Sequence, residues 1–252
     1  MAWVNSYSVL VVKTSGATLL FDPVGMDLPI DATLDLIVVT HGHSDHWEPK
    51  LITEVQGRTG STVAASPSLA AKLRQSGAEI PPTPLLERLA AGHAGAGGLG
   101  ARDAKDQETL QNIVSLLPGD ELTVGGTTLS ALRCDHAAVE PLAFQVSSPD
   151  GLTVYLPGDT TPFQEMSELP KPVSGLPPHC QSTRPGVDVL CWMGTALADG
   201  AKIAQLVQPK VFVSYAITPP RAGERAYNIL TSLTPDIPYQ PLDRHEVFLW
   251  ST

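Results

Sequence analysis

The apolar positions of this chain fall into short runs bounded by glycine, proline and aspartate, with a few longer amphipathic stretches between them. Residues 7–13 and 17–22 read as two strands joined at Thr14-Ser15-Gly16, a hairpin signal. The second ends at Phe21-Asp22-Pro23, where the proline cannot continue a central strand. Residues 35–40, Asp35-Leu36-Ile37-Val38-Val39-Thr40, form a continuous apolar run that predicts a buried strand. A weak helix follows over 48–56, then a strand over 61–65. A cleaner helix comes next, with Ser66 as N-cap, Pro67 at its first position and Gly77 as its stop.

From Ile113 the texture changes to short β segments, over 114–117, 121–124, 127–132, 142–147 and 152–156. They are split by Pro118-Gly119-Asp120, Gly125-Gly126 and Ser148-Pro149-Asp150-Gly151, and they predict an antiparallel meander. Thr161-Pro162-Phe163-Gln164 then reads as a capping box with proline at the first helical position. The last third alternates: strand 187–192, helix 199–206, strand 211–215, helix 222–230 and a closing strand over 246–250. Such alternation is α/β in character, and no boundary divides residues 1–252 into two domains. Two stretches stand apart, a Gly/Ala-rich insertion near 90–104, expected to be flexible, and an irregular Pro-rich excursion near 168–185.

Composition narrows the partners. A formal net charge of −10 and the lack of any Lys/Arg-rich run leave no electrostatic footprint for nucleic acid. Cys134, Cys180 and Cys191 are odd in number and irregularly spaced, which fits reduced thiols rather than a disulfide framework. No apolar run approaches the ~20 residues of a membrane helix, and the N-terminal stretch Val9-Leu10-Val11-Val12 is broken by Lys13. The expectation is a soluble cytoplasmic protein that acts on a small molecule and touches neither membrane nor nucleic acid. Oligomeric state is not legible.

The chemistry concentrates in His41-Gly42-His43-Ser44-Asp45-His46, which holds three of the seven histidines. On an extended segment leaving a strand, positions two apart point the same way, so His41 and His43 can reach one ion. Asp45 and His46 are adjacent, so the loop must bend to aim both at that place or at a neighbouring one. Imidazole with carboxylate suits Zn²⁺, and iron or manganese where oxygen dominates. A catalytic zinc needs three protein ligands and an open position. His136, in Arg133-Cys134-Asp135-His136, again follows a strand and is the candidate third ligand. Asp159, in Pro157-Gly158-Asp159-Thr160, leaves the strand over 152–156 and could bridge two ions.

The series Thr40-His41-Gly42-His43-Ser44-Asp45-His46, then His136, then Gly158-Asp159-Thr160, resembles the metallo-β-lactamase-fold hydrolase superfamily over nearly the whole chain. The early Phe21-Asp22-Pro23 fits as well, and the overall texture is most similar to the branch of ascorbate-6-phosphate lactonase-like proteins. The resemblance implies a four-layer αββα sandwich with two mixed sheets face to face and helices outside. It also implies that His41, His43 and His136 hold a first metal, that Asp45 and His46 hold a second, and that Asp159 bridges. This chain departs from the pattern at one point. A late histidine is expected after the strand over 211–215, and here that strand runs into Ser214-Tyr215-Ala216-Ile217. His93, His179 and His245 lie outside the pattern; His179 and His245 are candidates to replace it, and the Tyr215 phenol a weaker one.

The function expected is metal-assisted hydrolysis of a small ester, lactone or phosphoester, using one or two zinc ions, with manganese or iron as other fits. A bound ion lowers the pKa of water to roughly 7 and polarises the oxygen of the group under attack. Asp45 would orient the attacking water or carry its proton. Asp22 and Thr40 would fix imidazole orientation from behind. Two other readings stay open, a metal-binding protein with an incomplete second site and little catalysis, and a di-iron redox protein of the same fold.

Overall fold

The computed structural model describes residues 1–4, 8–26, 33–79, 112–169, 186–193, 196–215 and 220–250. Its first sheet comprises β1 (Ala2–Trp3), β2 (Leu10–Lys13), β3 (Thr18–Phe21), β4 (Leu36–Val38), β5 (Thr62–Ala65) and β6 (Ile113–Ser115), in that spatial order. β1, β2 and β3 are antiparallel neighbours, whereas β3 to β6 run parallel. The second sheet runs β13 (Tyr239–Pro241), β12 (Val211–Tyr215), β11 (Val189–Met193), β10 (Thr153–Leu156), β9 (Leu142–Ser147), β8 (Thr127–Arg133), β7 (Glu121–Val124). Here β10 to β13 are parallel and β7 to β10 antiparallel.

Strand parity explains the layers. Leu10, Val12, Leu19, Phe21, Leu36 and Val38 meet Leu129, Phe144, Val146, Val154, Leu156 and Val213 in one core between the sheets. The alternate residues Val9, Leu20, Ile37 and Val39 face outward and pack against α1 (Pro49–Thr59) and α2 (Pro67–Glu79) through Ile52, Val55, Leu69 and Leu73. On the far side Tyr155, Leu190, Trp192 and Phe212 cover α3 (Leu197–Val207) and α4 (Pro220–Leu233) through Ile203, Ala204 and Leu230. Strands buried on both faces must be apolar throughout, which is why β4, β11 and β12 read as continuous hydrophobic runs rather than alternating ones. The result is the αββα sandwich with two mixed sheets.

Several elements differ from the sequence reading. β6 does not open the meander; it joins the other sheet beside β5, with Val63 opposite Ile113. The closing strand over 246–250 reduces to an isolated antiparallel bridge between Ala2 and Val247, with Phe248 and Met1 exchanging hydrogen bonds at 2.8 Å beside it. β1 and β13 are short edge strands that carry little hydrophobic signal. Helix α2 passes Gly77 and ends at Glu79. The capping box at Thr161 is not formed. A 3₁₀ turn (Gln164–Glu168) follows Phe163 without a side-chain cap, because the Thr161 amide and hydroxyl both bond the Asp135 carbonyl. The Gly/Ala-rich insertion with His93, and nearly all of the Pro-rich excursion with His179 and Cys180, lie outside the described residues. Among the described residues no helix is long and apolar enough to cross a membrane.

Candidate metal centre

Parallel β3 and β4 end at one edge of the first sheet and deliver Asp22 and the segment Thr40–His46 there. β8 and β10 flank β9 and are both antiparallel to it, so they too leave their sheet at a common edge, delivering His136 and Asp159. The two edges face each other. The Leu142 amide, at the start of β9, donates to the Thr40 carbonyl at 2.9 Å and joins them directly. Gly158 takes φ +62°, a left-handed turn open to glycine at no steric cost, and this swings Asp159 out of β10.

Three imidazole nitrogens converge at this junction. His43 Nδ1 lies 3.2 Å from His41 Nε2 and 3.1 Å from His136 Nε2. His41 is buried, His136 half-buried and His43 exposed, so the trio opens to solvent on one side. Beside it, His46 Nε2 is 3.5 Å from Asp159 Oδ2 and 3.8 Å from Asp45 Oδ2, and His41 Nε2 is 3.9 Å from the same Asp159 oxygen. Two donor groups can thus be drawn, His41/His43/His136 and His41/His46/Asp159, each with its ligand atoms within 4.8 Å of one another. Within the second group, His46 Nε2 and Asp159 Oδ1 are buried and have no hydrogen-bond partner. Buried polar atoms without partners are costly, and an imidazole nitrogen and a carboxylate oxygen so left in one donor group fit a cation. Five of the six residues expected from the sequence fall in these groups; Asp45, exposed, is in neither and touches the second through His46 Nε2.

Residues 1–171 match the family described as the beta-lactamase superfamily domain. The chain belongs to that family. A metal-dependent hydrolase of Rubrobacter xylanophilus is 26% identical over 170 residues, covering 60% of this chain and 56% of that relative. This chain therefore matches little more than half the length of that curated relative. Among solved structures, a metallo hydrolase from Ignicoccus hospitalis superposes with a TM-score of 0.60 at 17% identity, over 100% of this chain and 98% of that one. The metallo-β-lactamase fold protein YhfI from Bacillus subtilis gives 0.61 at 13% identity, over 96% and 90%. The diiron β-hydroxylase CmlA from Streptomyces venezuelae gives 0.60 at 13% identity, over 95% of this chain and 52% of that protein. At such identities the structural likeness is one of fold.

In this beta-lactamase superfamily member the support behind the imidazoles is explicit. Asp22 is 2% exposed and holds φ +49°, which turns its carboxylate back under β4. Its Oδ1 accepts from the Thr40 amide at 2.7 Å, and its Oδ2 accepts from the Thr40 hydroxyl at 2.8 Å and from His46 Nδ1 at 2.9 Å. With its own proton given to Asp22, the Thr40 oxygen accepts from His41 Nδ1 at 3.0 Å. One carboxylate and one hydroxyl thereby hold both His41 and His46 through Nδ1, which leaves Nε2 of each ring on the side of the centre. Asp22 and Thr40 thus stand behind the imidazoles as the sequence reading expects, and the parallel pairing of β3 with β4 is what brings them there.

Further ties come from residues the sequence reading passed over. The Ser8 hydroxyl donates to the Asp45 carbonyl, holding the far end of the histidine loop. Thr160 Oγ1 accepts from the Asp135 amide at 2.8 Å, and the Thr161 amide donates to the Asp135 carbonyl at 2.9 Å, zipping the His136 and Asp159 loops together. Glu140, at φ +46°, accepts from the Ser68 amide at 2.9 Å in the first turn of α2 and fixes the other end of the His136 loop. Cys134 points to the outer layer and burial pushes its thiol up to about 12, so it takes no part in the centre. His245 is exposed in the turn before Glu246 and belongs to neither donor group among the described residues.

The two buried histidines titrate in opposite directions in metal-free protein. Burial pushes His41 down to about 4, with His46 adding repulsion. Burial also opposes charge on His46, but the Asp22 charge and the adjacent Asp159 carboxylate outweigh it and push His46 up to about 10. The His46 contribution to stability is therefore complete below the unfolded value near 6.5 and disappears as pH rises through about 10. His41 acts the other way, its contribution present above about 6.5 and lost as pH falls through 4. Thermal melts of metal-free protein should therefore peak near pH 6.5, and His46→Gln should flatten the alkaline limb. An alkaline limb identical in the two proteins would refute this assignment.

Proposed function

We propose that the protein is a metal-dependent hydrolase of a small ester, lactone or phosphoester, working in the cytoplasm with zinc. The observation that carries this reading is the pair of unpartnered buried atoms, His46 Nε2 and Asp159 Oδ1, set beside three converging imidazole nitrogens. His41, His43 and His136 would hold one ion. His46 and Asp45 would hold a second, with Asp159 between them. When bound, such cations polarise the oxygen of a scissile group and make water nucleophilic near neutral pH. An imidazole-rich donor set favours zinc over manganese or iron. The free thiols of Cys134 and Cys191 support a reducing compartment.

The chain's own residues supply the rest. Asp22 and Thr40 keep the imidazoles of His41 and His46 in their ligating tautomers. Asp45 presents a carboxylate on the solvent side, where its oxygens can accept a proton from the attacking water and return it to the leaving group. A net charge of −10 disfavours polyanionic substrates, so a small neutral or singly charged ester is preferred. Neither nucleic acid nor membrane is needed as a partner.

The test is to strip the protein with chelator, reconstitute it with zinc, manganese or iron, and assay lactones, phosphodiesters and thioesters. The expected result is turnover of at least one class that vanishes on chelation and returns with metal. Asp45→Asn should retain the first equivalent of metal while losing turnover by roughly 100-fold or more, the usual scale of proton-transfer catalysis. Tight metal without turnover of any class would instead support a binding protein, and failure to take up metal would end the hydrolase reading.

A further inference from the structure

The second half of the centre has a nitrogen from His46 and oxygens from Asp45 and Asp159, and it lacks the late histidine that the sequence pattern calls for. The strand that should deliver it is β12, whose register is fixed on both sides. Val211 to Tyr215 lie opposite Val189 to Met193, and Phe212 to Ser214 lie opposite Tyr239 to Pro241. Parity then sorts its side chains. Val211, Val213 and Tyr215 enter the core between the sheets, whereas Phe212 belongs to the outer layer. Ser214 follows Phe212, and its hydroxyl pairs with the outer-layer Tyr239 hydroxyl at 2.6 Å. Tyr215 is thus the last inward-facing residue of β12, and it stands at the sheet edge from which Asp159 leaves the parallel strand β10.

Its burial has an uncommon character for a core tyrosine. It is 4% exposed, and burial is the main reason its phenol stays protonated in metal-free protein, with the charges of Cys191, Asp22 and Asp159 adding to it. Tyr215 thus combines an inward-facing position at the end of β12 with two carboxylates, Asp22 and Asp159, within electrostatic reach of its phenol. A cation placed there would reverse that local electrostatic preference.

We propose that the Tyr215 phenolic oxygen is the missing donor, completing a second site of His46, Asp45, Asp159 and Tyr215. This rests on the metal-centre reading above and extends it to metal choice. One nitrogen and three oxygens make a harder site than the three imidazoles beside it. The two halves therefore differ in preference, the first suited to zinc and the second to ferric iron or manganese. Coordination releases the phenolic proton to solvent.

The test uses the full chain and Fe(III) as probe. Wild-type protein loaded with Fe(III) should show a visible phenolate-to-iron charge-transfer band, and Tyr215→Phe should lack it. Tyr215→Phe should also bind its second equivalent of metal at least tenfold more weakly while its first equivalent is unchanged. Tyr215→His should lack the band and bind a second zinc at least tenfold more tightly than wild type does. The Phe variant preserves core shape; should it nevertheless fail to fold, the wild-type band and the His variant still decide. A wild-type protein without the band, or a Phe variant with an unchanged second equivalent, overturns the proposal. Those results would leave the first site and any turnover intact, whereas loss of metal binding altogether would show that the centre itself was misread.

Discussion

Replacing His41 with alanine is expected to abolish metal binding at the first half of the centre and to weaken the second. His41 is the one residue common to the two donor groups, it is buried, and its ring packs against that of His46 with centroids 4.1 Å apart. Loss of an outer partner to a metal ligand typically costs roughly 10–100-fold in affinity, and loss of a shared direct ligand should exceed that. His43→Ala, by contrast, removes an exposed ligand from the first group only, and should leave the His46/Asp159 half competent. Metal counts on the two purified variants, together with thermal midpoints to confirm folding, separate these outcomes. Equal losses in both would show that His41 is not shared.

The second large effect is expected from Asp22→Ala, a residue that need not touch metal at all. Its removal leaves the Thr40 amide, the Thr40 hydroxyl and His46 Nδ1 without their acceptor inside the protein. Breaking one side of a buried charge-assisted network costs about 3–5 kcal/mol, which for a chain of this size lowers the thermal midpoint by about 10 °C. Metal affinity should fall by a further roughly 10–100-fold, because His41 and His46 lose the bonds that fix their tautomers. Asp22→Asn is the informative companion. It retains an acceptor oxygen and the shape, so it should recover much of the stability but less of the affinity, since its NH₂ cannot accept from His46. If both variants kept wild-type affinity, tautomer control from Asp22 would be excluded.

The layers of this fold are legible in sequence because strand burial is written locally. Ile37 and Val39 against Leu36 and Val38 announce a strand covered on both faces, and His41 to His46 follow it directly. His136 and Asp159 could likewise be picked out, since each follows a recognisable strand and both come to the same edge. What could not be read depends on which strands become neighbours. Asp22 is equally at home as a turn residue until β4 is placed beside β3. β6 sounds like the first strand of a meander until it pairs with β5. Thr161 has the spelling of a helix cap, yet its hydrogen bonds go to Asp135, a residue 26 positions away. Tyr215 was undervalued for the same reason, because the side it faces follows from register and not from composition.

The backbone and side-chain ties among the ligand loops have a consequence for how this protein would meet its cofactor. Leu142 to Thr40, Thr161 to Asp135 and Glu140 to Ser68 close the assembly with protein groups alone. In small zinc domains the ion is the keystone and chelation unravels the chain. Because these ties run between protein groups, metal loading is expected to add stability by mass action, rising with the logarithm of free metal over its dissociation constant. Cofactor exchange then becomes a matter of traffic through the open face beside His43 and Asp45.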